Sequence, residues 1–159
     1  MNADELWVES YQGEVLGEAL FARLATREAD PEHRRQLDVL TLLERATKEL
    51  AEPVLARRGI DRGDTEASRS NADELADGLV GTSWADFLGS FEPVISQFLA
   101  KYRQLVELAD DDDERAVAEA YVAHEQALAS FVRRSLGDEP GEPLAEILRL
   151  PHVAATQAA

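Results

Sequence analysis

Residues 59–82 read GIDRGDTEASRSNADELADGLVGT, and the organisation of the chain turns on them. Glycines at positions 59, 63, 78 and 81, with acidic and small residues between them, mark a polar connection. Within it only Asn71 to Leu79 is expected to form a short helix. On either side lie two long segments whose apolar residues recur every three or four positions, the spacing of an amphipathic helix. The first helix is expected from about Asp4 to Thr26, with Trp7, Tyr11, Val15, Ala22 and Ala25 along one face. The second opens on Asp30 as N-cap with Pro31 at the first helical position, where a missing N–H costs nothing. It carries Leu40, Leu43, Thr47, Leu50 and Val54 and stops at Gly59. Pro53 falls inside that stripe and is expected to kink the last turn or end the regular helix early.

Beyond the connection, Ser83…Asp86 starts a third helix bearing Phe87, Phe91, Val94, Phe98, Tyr102 and Leu105. Asp110 to Asp113 caps a fourth, which extends to Leu136 and stops at Gly137. A short helix from Leu144 to Leu150 and a frayed alanine-rich end over 151–159 complete the chain. The first and second helices are joined by a short link, and so are the third and fourth, so each pair should form an antiparallel hairpin. The 59–82 stretch is long enough to travel the length of a bundle. The expected architecture is therefore all-α: one domain over 1–159, a four-helix bundle of two hairpins joined by a long crossover, with a short extra C-terminal helix.

Composition narrows the function classes. With no cysteine there is no disulfide framework, thiolate metal site or cysteine nucleophile. The 32 acidic against 16 basic residues give a formal charge of −16, which repels phosphate backbones and anionic headgroups. No nucleic-acid or membrane role is expected. The start Met1-Asn2-Ala3-Asp4-Glu5 is acidic where a signal peptide is basic, and no apolar run approaches the length of a span, so a cytoplasmic protein is expected.

The chemistry-bearing residues are polar groups on apolar faces. At about 100° per residue, Glu18 falls in the middle of the first helix's apolar arc and Glu14 near its edge. Glu44 lies beside Leu37, Leu40 and Ala51, one turn before Thr47. His124 lies between Val117, Leu128 and Phe131, with Tyr121 one turn earlier and Glu125 at the margin. A buried carboxylate is costly unless it is paired, hydrogen-bonded, protonated or bound to metal. Glu18 thus reads either as a ligand or as the partner of an inward Arg or Lys, or of Tyr102 or Tyr121. His124 reads as a ligand or as a satisfied core histidine, and Glu44 as a ligand or a side chain reaching water.

The run Tyr11-Gln12-Gly13-Glu14-Val15-Leu16-Gly17-Glu18, then Leu43-Glu44-Arg45-Ala46-Thr47, then Tyr121-Val122-Ala123-His124, resembles the ferritin-like superfamily. There the first and third helices each give a Glu, and the second and fourth each give a Glu-x-x-His. In this chain Thr47 stands at the second helix's histidine position and Tyr121 at the fourth helix's Glu position, while the third helix offers no inward carboxylate. The resemblance implies a reduced site in which Glu18, Glu44 and His124 hold one Fe, Mn or Zn ion, with Glu14 and Glu125 as auxiliary ligands. It also implies an oxidoreductase-type or metal-handling role. The alternative is a non-enzymatic helical scaffold or small-molecule binder that has lost its metal. His33 and His152 fall at a helix start and in the tail without a partner motif. No phosphate loop, nucleophile elbow or His-Glu-x-x-His motif is present.

One further expectation concerns assembly. Leu6, Leu16, Leu20 and Leu24 lie opposite the first helix's main stripe, with Gly13 and Gly17 beside them. A helix apolar nearly all round is covered on two sides. That second cover is either the same surface of a partner in a homodimer, or the crossover or C-terminal helix of the same chain.

Overall fold

The structure is a computed structural model and describes residues 1–158, in which every regular element is helical and no strand occurs. The helices are α1 (Ala3–Arg27), α2 (Pro31–Arg58), α3 (Thr65–Gly78), α4 (Trp84–Gly89), α5 (Phe91–Glu107), α6 (Asp112–Ser135), α7 (Ala145–Arg149) and α8 (Pro151–Ala158). The four long ones, α1, α2, α5 and α6, hold well over half of the chain. No helix of these residues is long and apolar enough to cross a membrane. The chain divides into two compact units, Met1–Val80 and Gly81–Ala159.

In the first unit, α1 and α2 form the expected antiparallel hairpin. The N-cap of α1 is a reciprocal box: Asn2 Oδ1 accepts from the Glu5 N–H, and Glu5 accepts from the Asn2 N–H. Asp30 caps α2 by accepting from the Glu32 and His33 N–H groups. Charge pairs set the register of the seam. Asp4 near the start of α1 meets Arg58 at the end of α2 at 2.7 Å, and Glu18 meets Arg45 at 2.9 Å. Leu37, Leu40, Leu43, Ala51 and Val54 of α2 and Trp7, Tyr11 and Val15 of α1 are buried. The helix runs through Pro53 to Arg58 before the left-handed Gly59, so Pro53 removes one N–H without ending it.

The 59–82 stretch is more structured than its composition suggested. Most of it is the 14-residue helix α3, capped by Asp64. It runs parallel to α1, as the pairs Arg23–Asp73 and Arg27–Asp77 show. Ala72 and Ala76 are its buried residues, and they pack on Leu20 with Leu16, Ala19 and Leu24 around them. Leu16, Leu20 and Leu24, part of the surface that suggested either a homodimer or cover by the same chain, are therefore packed against α3.

In the second unit, α5 and α6 pair, α4 packs against both and α7 against α6. Ser83 caps α4, and the break before α5 at Ser90 precedes Pro93, which has no N–H to continue the ladder. Trp84, Phe87 and Phe91 stack in series at centroid distances of 5.4 and 4.7 Å. The buried residues of α5 are Ile95, Tyr102 and Leu105, whereas Val94, assigned to this face from the sequence, is 45% exposed. Asp111 caps α6 through the Glu114 N–H, and Gly137 beyond its end is left-handed. The tail expected to fray is helical through Ala158 and anchored by fully buried Val153; Ala159 lies outside the described residues.

Candidate functional site

In the first unit, α1 presents Glu14 and α2 presents Glu44, 1% and 6% exposed. A carboxylate oxygen of one lies within 4.8 Å of a carboxylate oxygen of the other. The local reason is Gly17. It follows Glu14 by one turn on the same helix face, and Glu44 occupies the space where a side chain would begin. A Cβ built on Gly17 would stand 2.6 Å from both Cδ and Oε2 of Glu44. Thr47, one turn beyond Glu44 and fully buried, donates its hydroxyl to the Leu43 carbonyl at 2.9 Å. Two carboxylates this close in a dry interior repel unless a proton or a cation lies between them.

Glu18 has different company. Lys48 and Arg45 both bond to it, one to each oxygen. Burial pushes the Glu18 carboxyl up, but the Lys48 and Arg45 bonds outweigh that and hold it below its ordinary value. Of the two readings of Glu18 open from the sequence, the structure displays the ion-paired one. The helix position facing Glu44 as a second carboxylate is Glu14, one turn earlier.

In the second unit, α6 buries Tyr121, His124 and Glu125 together, which a spacing of three and four residues allows. His124 is 1% exposed, and its Nε2 lies 4.0 Å from Glu125 Oε1. Tyr121 meets Tyr102 of α5 edge to face at 4.8 Å, so one side of this turn is walled by aromatic rings. His152 of α8 belongs to the same environment. Burial pushes its imidazole down to about 4, and the charge of a protonated His124 acts in the same direction.

The structure thus brings Glu14 to Glu44 in one unit and His124 to Glu125 in the other, and it engages Glu18 with Lys48 and Arg45. Two participants escaped the sequence reading. Gly17 was grouped with the outward face, although a glycine inside a helix, about 1 kcal/mol worse there than alanine, is itself a sign of close approach. His152 was set aside with the tail because an eight-residue alanine-rich segment carries little helical periodicity. Comparison with protein-family models, curated proteins and solved structures finds no match to the chain.

Proposed function

We propose that the chain is a divalent-cation-binding protein in which Glu14, Glu44 and His124 hold a single Fe, Mn or Zn ion. In this reading the four long helices take the ferritin-like arrangement, with a metal-handling or oxidoreductase-type role. The observation that carries it is the buried Glu14–Glu44 carboxylate pair, its oxygens within 4.8 Å of each other. Two oxygens on one ion at about 2 Å bond lengths stand at most about 4 Å apart, so closing on a cation asks for side-chain movements of under about 1 Å. His124, a buried imidazole of the second unit, is the third donor that the resemblance to the ferritin-like superfamily implies.

The donor chemistry fits. Two carboxylates and an imidazole suit Fe, Mn or Zn, and the absence of thiolate removes the softer alternatives. A three-ligand ion keeps open positions, and when bound it supplies Lewis acidity and, for Fe or Mn, one-electron chemistry. The buried residues of α5 include no carboxylate, so nothing there bridges to a second ion, which favours one metal over two.

The test is metal analysis of protein purified without a chelating tag, followed by calorimetric titration with Mn²⁺ and Zn²⁺. The expected result is one ion per chain, lost in Glu14→Gln, in Glu44→Gln and in His124→Ala, and retained in Glu18→Gln. Unchanged uptake in both carboxylate variants would overturn the site and leave a carboxylate pair sharing a proton, as the scaffold alternative requires.

A further inference from the structure

The geometry points to Gly17 as a positioning residue for the cation, an inference that rests on the metal-binding reading above. Gly17 has no ligand atom, and its part is to be small. The Glu44 side chain leaves α2 and lays its carboxylate directly against α1 where Gly17 has no side chain, with Cδ and Oε2 both 2.6 Å from where a Cβ would be. Real Cβ atoms do not approach so closely, so any larger residue displaces that carboxylate. Gly17 is itself buried, and Glu14 lies one turn earlier on the same face. A Glu44 carboxylate seated over Gly17 is thereby held beside Glu14, and a Cβ would push it off the pair.

The cost of this glycine argues for the same role. In the interior of a 25-residue helix, alanine is favoured over glycine by about 1 kcal/mol. Gly17 has no left-handed backbone to justify its presence, since the positive-φ glycines are Gly59, Gly63, Gly81, Gly137 and Gly141. Gly13 lies in the same helix interior, while Gly78 and Gly89 sit at helix ends with open space where a Cβ would go; the close contact with a carboxylate is what marks Gly17. At Gly17 the fold forgoes helix propensity to admit the Glu44 carboxyl group into the interior.

The experiment compares four proteins: wild type, Gly17→Ala, Glu44→Asp and the double variant. Each is titrated with Mn²⁺ and Zn²⁺ by calorimetry, with urea unfolding followed by circular dichroism in parallel. Gly17→Ala should weaken cation binding by about 10–100-fold, the scale of losses when a residue that orients a ligand is changed. The double variant should recover most of that loss, because Asp is shorter by one methylene and clears the new Cβ. Glu44→Asp alone should bind slightly more weakly than wild type and about as tightly as the double variant, because in both the shorter carboxylate no longer reaches position 17. A merely structural glycine would give no such rescue of binding. If Gly17→Ala fails to fold, the double variant decides: refolding with metal uptake supports the inference, and refolding without it overturns it, as does failure to refold. Wild type and Gly17→Ala binding equally would overturn the role of Gly17 while leaving the ligand set standing. A wild-type protein that takes up no metal would overturn both.

Discussion

Met1–Val80 buries two carboxylates, one of them against a glycine, and lines its helix seams with opposite charges, whereas Gly81–Ala159 buries His124 on a helix that meets its neighbour through tyrosine rings. In the first unit, Asp4–Arg58, Glu18–Arg45, Arg23–Asp73 and Arg27–Asp77 run along the seams. In the second, Trp84–Phe87–Phe91 and Tyr102–Tyr121 fill the space between α4, α5 and α6. Charge pairs at a surface fix register but contribute little energy, while interlocked rings contribute much and tolerate little. The two units should therefore respond very differently to substitution and to pH.

The largest effect is expected from truncating the ring pair. Tyr102 is 1% exposed, and Tyr102→Ala leaves a ring-sized cavity beside Tyr121. The loss should be about 3–5 kcal/mol in urea unfolding monitored by circular dichroism. Glu18→Gln, which weakens the half-buried ion pairs to Lys48 and Arg45, should cost about 1–2 kcal/mol. Equal losses would erase the contrast between the two ways of packing.

The pH response should separate the units next. His152 is held near 4 against an ordinary 6.5. A histidine lowered by folding takes up its proton more readily when unfolded. Its stabilisation is thus complete above about 6.5 and is lost as pH falls from there towards 4. Allowing for partial exposure, the metal-free protein should lose about 2 kcal/mol across that window. In His152→Asn the loss should be much reduced. Glu18 works in a lower window. Its carboxyl is held below the ordinary 4.5, so its contribution is present above that value and disappears as pH falls further. Urea midpoints at pH 7, 5 and 3.5 for wild type and the two variants measure both. A His152→Asn profile identical to wild type between 7 and 5 would show that α8 does not bury this imidazole in solution.

These residues also show which parts of the molecule were legible in the sequence. Helix limits were, because Asp30-Pro31, Gly59, Asp111 and Gly137 punctuate the backbone through local chemistry alone. The α3 helix was read as a connection because its docking surface is two alanines, whose burial leaves almost no hydropathy signal. That miss propagated. Since α1 is covered by α3 as well as by α2, its apolar residues wrap most of the way round, and the centre of its arc cannot be fixed from the sequence. Glu14 and Glu18 differ by one turn and about 40° on a helix. That uncertainty was enough to favour Glu18 as the ligand, where the structure pairs it with Arg45 and Lys48. On α5 the sequence put Val94 on the buried face where the structure has Ile95, a difference of one residue in rotation. The carboxylate–glycine contact was beyond reach, because it depends on how α2 is rotated against α1.

Helix caps should be indifferent to the contrast. Asn2 caps α1 and Asp111 caps α6 through the same kind of side-chain bond to an N–H three residues on. Replacing either with alanine should cost about 1 kcal/mol. A much larger loss at one of them would mean that its cap also holds tertiary structure, which the matching local geometry gives no reason to expect.

The smallest effect belongs to the pair Arg27–Asp77, and it asks what holds α3 to α1. Arg27 is the last residue of α1 and Asp77 lies in the last turn of α3, with a 2.6 Å contact between them. The two parallel helices bring their negative dipole ends to the same place. Arg27 suits that field and Asp77 opposes it, so the pair first offsets a local repulsion before adding any attraction. Its partners are 34% and 68% exposed in their side chains, where salt and water screen the rest. A double-mutant cycle of Arg27→Ala and Asp77→Ala should give a coupling of about 0.2–1 kcal/mol, shrinking further in 0.5 M salt. By contrast, Ala76→Leu should cost about 1–3 kcal/mol, because Ala76 is fully buried against Leu20 and added methylenes have nowhere to go. If the ion pair proved the stronger term, α3 would be held by charge rather than by its alanines. The expected order instead has α3 held by close packing, as the α1–α2 seam is held by Trp7, Leu40 and Leu43, with alanines doing there what larger side chains do along that seam.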